Sequence, residues 1–201
     1  GRCPGVVPAF GVHPWFAAEA RGRWLEDLKA LLRGAPSCAG EMGLDGIRNV
    51  PGQELVFIAQ LGLARGLGRP AVLHCVKCWG RMMELLREGR PGAFMLHAYG
   101  GPAELVPELA AMGAYFSFDA EVLDPRRRRL RAALAAVPRD RLLLETDAPS
   151  ASGSDWRRGP AGTAFVAGAA ASALGLSAEE VATSSSANAR RFLGPLYPRG
   201  S

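Results

Sequence analysis

Six short apolar runs, each bounded by Gly or Pro, alternate along this chain with longer stretches in which Leu and Ala recur at spacings of three and four. No other feature restricts the fold as much. The runs cover 6–12, 37–44, 71–76, 93–97, 114–118 and 142–146. They are apolar at odd and even positions alike, the pattern of strands covered on both faces. The stretches 24–33, 53–67, 79–87, 102–112 and 126–137 are predicted helices that cover a sheet. Strand and helix in alternation demand parallel strands joined by right-handed crossovers. Two further helices, 160–174 and 177–191, follow the last run, with Gly175-Leu176 between them and Ser177 and Glu180 placed as a capping box. The result is an α/β chain of the TIM-type (β/α) barrel class, with six recognisable strands where a closed barrel needs eight.

Such a barrel takes about 250 residues and rarely fewer than about 200, so the 201 residues here sit at its lower limit. No linker or shift in composition divides the chain. Residues 1–194 are expected to form a single domain, and 195–201 a tail one residue different from a common protease-site linker. The net charge of +5 is carried almost wholly by Arg, since Lys29 and Lys77 are the only lysines. That excess permits a phosphate-bearing partner without demanding one. No run approaches 18 apolar residues and the first residues lack the charged and apolar regions of a secretion signal, so no membrane partner and a cytoplasmic location are expected. The four cysteines make no dense framework, and the single pair Cys75-Val76-Lys77-Cys78 lacks the second pair of a structural zinc site. They are read as buried small hydrophobes in a reducing compartment. The sequence leaves the oligomeric state open.

In a parallel barrel the reactive groups come from the C-terminal ends of strands. That position selects His13, Glu41, His74, His97 and Asp147, including every histidine of the chain. Imidazoles and carboxylates together suit a divalent cation, which makes hydrolysis by an activated water the natural reaction class. Asp147, at the end of the apolar Leu142-Leu143-Leu144, is the better-fixed general base.

Five segments then resemble, in order and spacing, the TatD-type metal-dependent deoxyribonucleases of the amidohydrolase-like barrel superfamily. They are Gly40-Glu41-Met42-Gly43-Leu44-Asp45, Leu73-His74-Cys75, Leu96-His97-Ala98-Tyr99-Gly100-Gly101, Leu144-Glu145-Thr146-Asp147-Ala148-Pro149 and Ser186-Ala187-Asn188-Ala189-Arg190-Arg191-Phe192. The resemblance implies that Glu41, His74, His97 and Asp147 are metal ligands, with Glu41 and Asp147 also the catalytic carboxylates. It implies one or two divalent ions, Mg, Mn or Zn, and hydrolysis of DNA phosphodiesters as an exonuclease on single-stranded ends. His13, in the family's G-V-H-P turn, is implied to be a substrate contact or to support the ligands. The sequence also departs from the family. It contains no His-x-His, the pair that binds one metal in the family's first strand, and Val76 stands where an Arg is common. The first two βα units of the barrel are therefore expected to be missing, and the activity of this polypeptide to be weak or altered. Two alternatives follow: a catalytically impaired binding or assembly module, and a metal hydrolase of ester or amide substrates.

Arg157 and Arg158, in the loop after Asp147, are candidate substrate contacts. Arg126 to Arg129 are read mainly as a solvated basic face, since four consecutive residues point all round a helix. Trp15, Phe16 and Tyr99 are aromatics on which bases could stack, whereas Trp24 and Trp79 are read as helix-to-sheet packing. No G-x-G-x-x-G follows a strand, which weakens a dinucleotide-binding reading.

Overall fold

The structure, a computed structural model, describes residues 6–148 and 162–198. Six strands and seven α-helices occur among the described residues. They fall into two compact units, one up to Met95 together with the chain from Phe192, the other from Leu96 to Arg191.

The first unit holds three parallel strands, β1 (Ala9–Phe10), β2 (Cys38–Asp45) and β3 (Ala71–Val76), paired in chain order. Helices α1 (Trp24–Gly34), α2 (Gln53–Gly66) and α3 (Trp79–Gly89) accompany them. Each buries one face: Leu28 and Leu32 on α1, Val56, Phe57, Gln60 and Leu61 on α2, Met82 and Leu86 on α3. These side chains, with Met42 and Leu73 from β2 and β3, make the core of the unit. β2 and β3 approach so closely that a Cβ on Gly43 would lie 1.9 Å from the His74 carbonyl oxygen. Gly43 itself has φ +153, so both space and backbone conformation require glycine there. Pairing shifts register between Ala39 and Met42, the stretch that carries Glu41.

β1 is much shorter than the run 6–12 from which it was predicted. Pro8 has no N–H to give, and the N–H and carbonyl of Val12 are taken by the buried amide of Gln60 at 2.7 and 3.0 Å. The chain then turns directly into a 3-10 helix, Pro14–Glu19, capped by His13. Gln60 thus pins the residue before His13 to α2.

β4 (Phe94–Leu96) lies where the two units divide. In the second unit β5 (Ala114–Phe118) and β6 (Leu142–Leu144) pair in parallel, with Ser117 opposite Leu143. Its helices are α4 (Val106–Ala111), α5 (Arg128–Ala136), α6 (Thr163–Leu174) and α7 (Ala178–Leu193). The predicted helix 102–112 divides into a 3-10 turn, Ala103–Leu105, and α4, because Pro107 sits in the first turn of the latter. α5 starts two residues later than predicted because Asp124 and Glu121 hold Arg126 and Arg127 in the preceding turn. The capping box forms as expected: Ser177 Oγ accepts from the Glu180 N–H, and Glu180 accepts from the Ser177 N–H at 2.8 Å. Fully buried on α7, Asn188 donates to the carbonyls of Arg139 and Leu142 at 2.8 and 2.7 Å, which secures the start of β6. No single helix among the described residues is long and apolar enough to cross a membrane.

The cysteine reading needs correction. Only Cys38 is buried among the described cysteines, while Cys75 and Cys78 are half-buried, because β3 ends there and the turn into α3 opens the strand edge.

Candidate metal centre

In the first unit, Glu41 and His74 emerge from neighbouring strands and meet, with His74 Nδ1 2.8 Å from Glu41 Oε1. The other ring nitrogen, Nε2, lies 3.3 Å from Asp45 Oδ2. Asp45 is buried and heavily bonded. It accepts the Trp15 indole N–H at 2.6 Å and the backbone N–H groups of Ile47 and Arg48 at 2.9 Å, while its own N–H donates to Gln53. Burial works to raise the Asp45 pKa, but the Trp15, Arg48, Ile47 and His74 donors outweigh it and hold the carboxyl down at about 2. Burial likewise works to depress the His74 imidazolium, and the carboxylates of Glu41 and Asp45 overcome it, so the His74 pKa is raised.

His13 completes a group of three possible ligands with Glu41 and His74, whose donor atoms all lie within 4.8 Å of one another. Its ring packs edge-on to His74 with centroids 4.6 Å apart, and its Nε2 lies 3.8 Å from Glu41 Oε1. His13 Nδ1 already accepts the Trp15 backbone N–H at 3.2 Å as the cap of the 3-10 helix. A neutral imidazole that accepts at Nδ1 carries its proton on Nε2. His13 Nε2 faces Glu41 across 3.8 Å, as the third of three possible ligand atoms.

The second unit repeats the scheme. His97 Nε2 lies 3.1 Å from Asp147 Oδ1, and His97 Nδ1 lies 2.6 Å from Glu145 Oε2. Glu145 also accepts the Ser117 hydroxyl at 2.8 Å and the Ala98 backbone N–H at 2.7 Å. Ala98 and Asp147 have φ of +43 and +50, a region uncommon for residues other than glycine. These turns aim the Ala98 N–H at Glu145 and the Asp147 carboxylate at His97.

Of the residues expected from sequence, Glu41 meets His74 in one unit and His97 meets Asp147 in the other. Arg157 and Arg158 lie outside the described residues. Tyr99 is a correction. It is fully buried against Phe116 and Phe118, and its hydroxyl donates to the Pro102 carbonyl at 2.7 Å, so its ring offers no face to a base. Trp15 and Phe16 do stay exposed, with the Arg48 guanidinium 4.2 Å over the Trp15 ring. Asp45 and Glu145 carry no expected role from the sequence, although both stand within the resembling segments. The available signal was a second acid near each ligand, Glu41 with Asp45 and Glu145 with Asp147. A further cavity of about 500 Å³ follows His97 in the chain, lined by Ala98, Gly100, Asp119, Arg128 and Arg129 among others.

The donor set suits a divalent ion of the Zn or Mn type, since each imidazole has a more exposed carboxylate on one nitrogen and a less exposed, heavily hydrogen-bonded one on the other.

Comparison with known proteins assigns the class. The profile of the TatD related DNase family matches residues 2–194, and the chain belongs to that family. A 3'-5' ssDNA/RNA exonuclease TatD from Pantoea vagans is 35% identical over 198 residues, 90% of this chain and 75% of that protein. Another so named, from Edwardsiella piscicida, is 42% identical over 147 residues, 69% of this chain, and one from Cronobacter turicensis is 40% identical over 160, 74% of it. The matches span only 56% and 59% of the lengths of those two relatives. In structure the chain is similar to YJJV, a TatD homologue from Escherichia coli, with a TM-score of 0.80 at 23% identity over 92% of this chain and 76% of that one. A TatD-family hydrolase from Entamoeba histolytica gives a TM-score of 0.76 at 18% identity, over 94% and 75%. The fold class is thus TIM-type α/β, as expected from the alternating strands and helices.

Proposed function

We propose that this chain is a metal-dependent nuclease that hydrolyses phosphodiester bonds at single-stranded nucleic acid ends, with Glu41, His74, His97 and Asp147 as metal ligands. The family membership carries the reading, supported by the two imidazole–carboxylate pairs at strand ends. A divalent cation held by either pair would supply Lewis acidity to a phosphodiester and acidify a water at neutral pH. The chain's own residues do the rest. Asp45 and Glu145 fix the two imidazole planes by accepting one ring N–H each. Asp147, half-exposed on its left-handed turn, takes the proton from the attacking water. His13 directs its Nε2–H into the solvent-facing space beside Glu41, where it can donate to a phosphate oxygen. Trp15 and Phe16 offer exposed rings to a terminal base.

The test is release of labelled nucleotide from single-stranded DNA and RNA by the 201-residue chain with Mg²⁺ or Mn²⁺, with and without a chelator. Chelator-sensitive release that falls at least 100-fold in both His74→Ala and His97→Ala supports the reading. Bound metal without hydrolysis of either polymer would point instead to a binding module, and hydrolysis confined to simple esters or amides to a different substrate class.

A further inference from the structure

Cys75 and Cys78 take no part in the chemistry above, yet their placement is distinctive. β3 ends at Val76, Lys77 turns the chain with φ +58, and Cys78 stands immediately before the first residue of α3. That turn brings the two sulfurs to 3.9 Å, with Cys78 Sγ 3.2 Å from the Val76 carbonyl oxygen. Both residues are half-buried, so a small reagent can reach them, whereas Cys38 is buried and its thiol is pushed up to about 11 by that burial. No His, Asp or Glu among the described residues joins the two sulfurs in a metal-binding group. What remains is a pair of thiols poised against each other.

We propose that Cys75 and Cys78 form a dithiol that exchanges with low-molecular-weight disulfides of the glutathione class and closes an intramolecular Cys75–Cys78 bond. Cys78 is the attacking sulfur. It stands at the N-terminus of an 11-residue helix, where negative charge is favoured, and the contact with Cys75 foremost holds its pKa down at about 7. The Cys78 thiolate attacks one sulfur of R–S–S–R, forming Cys78–S–S–R and expelling RS⁻, which takes up the proton Cys78 had lost. The Cys75 sulfur then attacks the Cys78 sulfur and breaks the mixed disulfide, its thiol proton passing to the second RS⁻. Two protein thiols are oxidised by two electrons, and one small disulfide is reduced to two thiols. The sulfurs need only close from 3.9 Å to about 2.05 Å across a turn already formed at Lys77.

Lys77 provides the readout, because trypsin cuts after it and separates residues 66–77, which hold Cys75, from 78–81, which hold Cys78. The folded chain is incubated with oxidised glutathione, blocked with iodoacetamide under denaturing conditions, digested and analysed by mass spectrometry. The expected result is that the two peptides stay joined, lighter by two hydrogen atoms than their sum, carry no alkyl group, and separate on reduction. In Cys75→Ser the reaction should stop at one glutathione on Cys78, and in Cys78→Ser no adduct should form on Cys75 over the same time. Separate, fully alkylated peptides from the parent protein overturn the proposal. So do a persistent glutathione adduct on either cysteine of the parent, or a bond from either to Cys3 or Cys38. The assay reads thiol chemistry alone, so its outcome is independent of nuclease activity.

Discussion

Replacing Asp45 by Asn tests how the buried carboxylate beside His74 is held. The substitution keeps the volume and leaves an oxygen to accept the Ile47 and Arg48 N–H groups, both of which donate to Oδ1. It removes the charge and turns an amide toward the Trp15 indole N–H and His74 Nε2, so that donor meets donor. A carboxyl lowered from 3.8 to about 2 stabilises the folded state. At 1.36 kcal/mol per pH unit the charge contributes about 2.5 kcal/mol. The mismatched donors add a roughly pH-independent 1–3 kcal/mol. Because the folded pKa is depressed, the charge contribution is present above about pH 4 and is lost as pH falls through about 2. Urea unfolding of both proteins in chelator, from pH 5.5 down to pH 2, checks this below the ordinary His range. The gap between parent and variant should shrink by about 2 kcal/mol across that window, since at pH 2 the folded-state carboxyl is still half ionised. A gap that changes by less than about 1 kcal/mol would refute the assignment of those four donors to an ionised Asp45.

Three further substitutions probe separate parts of the structure. Glu145→Gln, which spoils the acceptor shared by His97, Ala98 and Ser117, should cut Mn²⁺ affinity about 10- to 100-fold in titration calorimetry; affinity within twofold of the parent refutes an orienting role. Gly43→Ala places a Cβ 1.9 Å from the His74 carbonyl oxygen and should cost more than about 4 kcal/mol, so a thermal midpoint within a few degrees of the parent would contradict the close β2–β3 approach. Asn188→Ala strands the carbonyls of Arg139 and Leu142 and should cost about 2–4 kcal/mol in urea unfolding, with a loss below about 1 kcal/mol contradicting their dependence on that side chain.

The strands and helices were legible because burial on both faces and a three-to-four spacing are local patterns. The runs 71–76 and 114–118 appear as β3 and β5 with the same bounds. What failed depended on partners distant in sequence. The tail of β1 was lost to Gln60, 48 residues away, whose amide supplies what a neighbouring strand would have supplied. Tyr99 looked like a loop aromatic from its neighbours Ala98 and Gly100, and only the packing of Phe116 and Phe118 shows it buried. The ligand candidates were visible from their positions at strand ends. Their supporting acids were not, because a second carboxylate beside a first carries no sequence mark to show which one faces solvent. Asp45 and Glu145 are defined by what donates to them: an indole from residue 15 in one case, a hydroxyl from residue 117 in the other.

The same two arrangements decide which nitrogen of each imidazole a cation can take. Side-chain exposure is 5% for Asp45 and 12% for Glu145, against 27% for Glu41 and 39% for Asp147. The less exposed acid of each pair is committed to backbone and side-chain donors, so moving it onto a cation would cost those hydrogen bonds. A cation on the proposed site would therefore take the place of the proton shared with the more exposed acid, while the less exposed acid keeps the opposite N–H. Nδ1 of His74, which faces Glu41, and Nε2 of His97, which faces Asp147, would then be the ligating atoms. Selective ¹⁵N labelling of the imidazoles checks it. On addition of Zn²⁺, the directly bound nitrogen should shift most at Nδ1 in His74 and at Nε2 in His97, with the other nitrogen of each ring still protonated. The same nitrogen responding in both rings would mean that Asp45 or Glu145 does not hold its imidazole in this orientation.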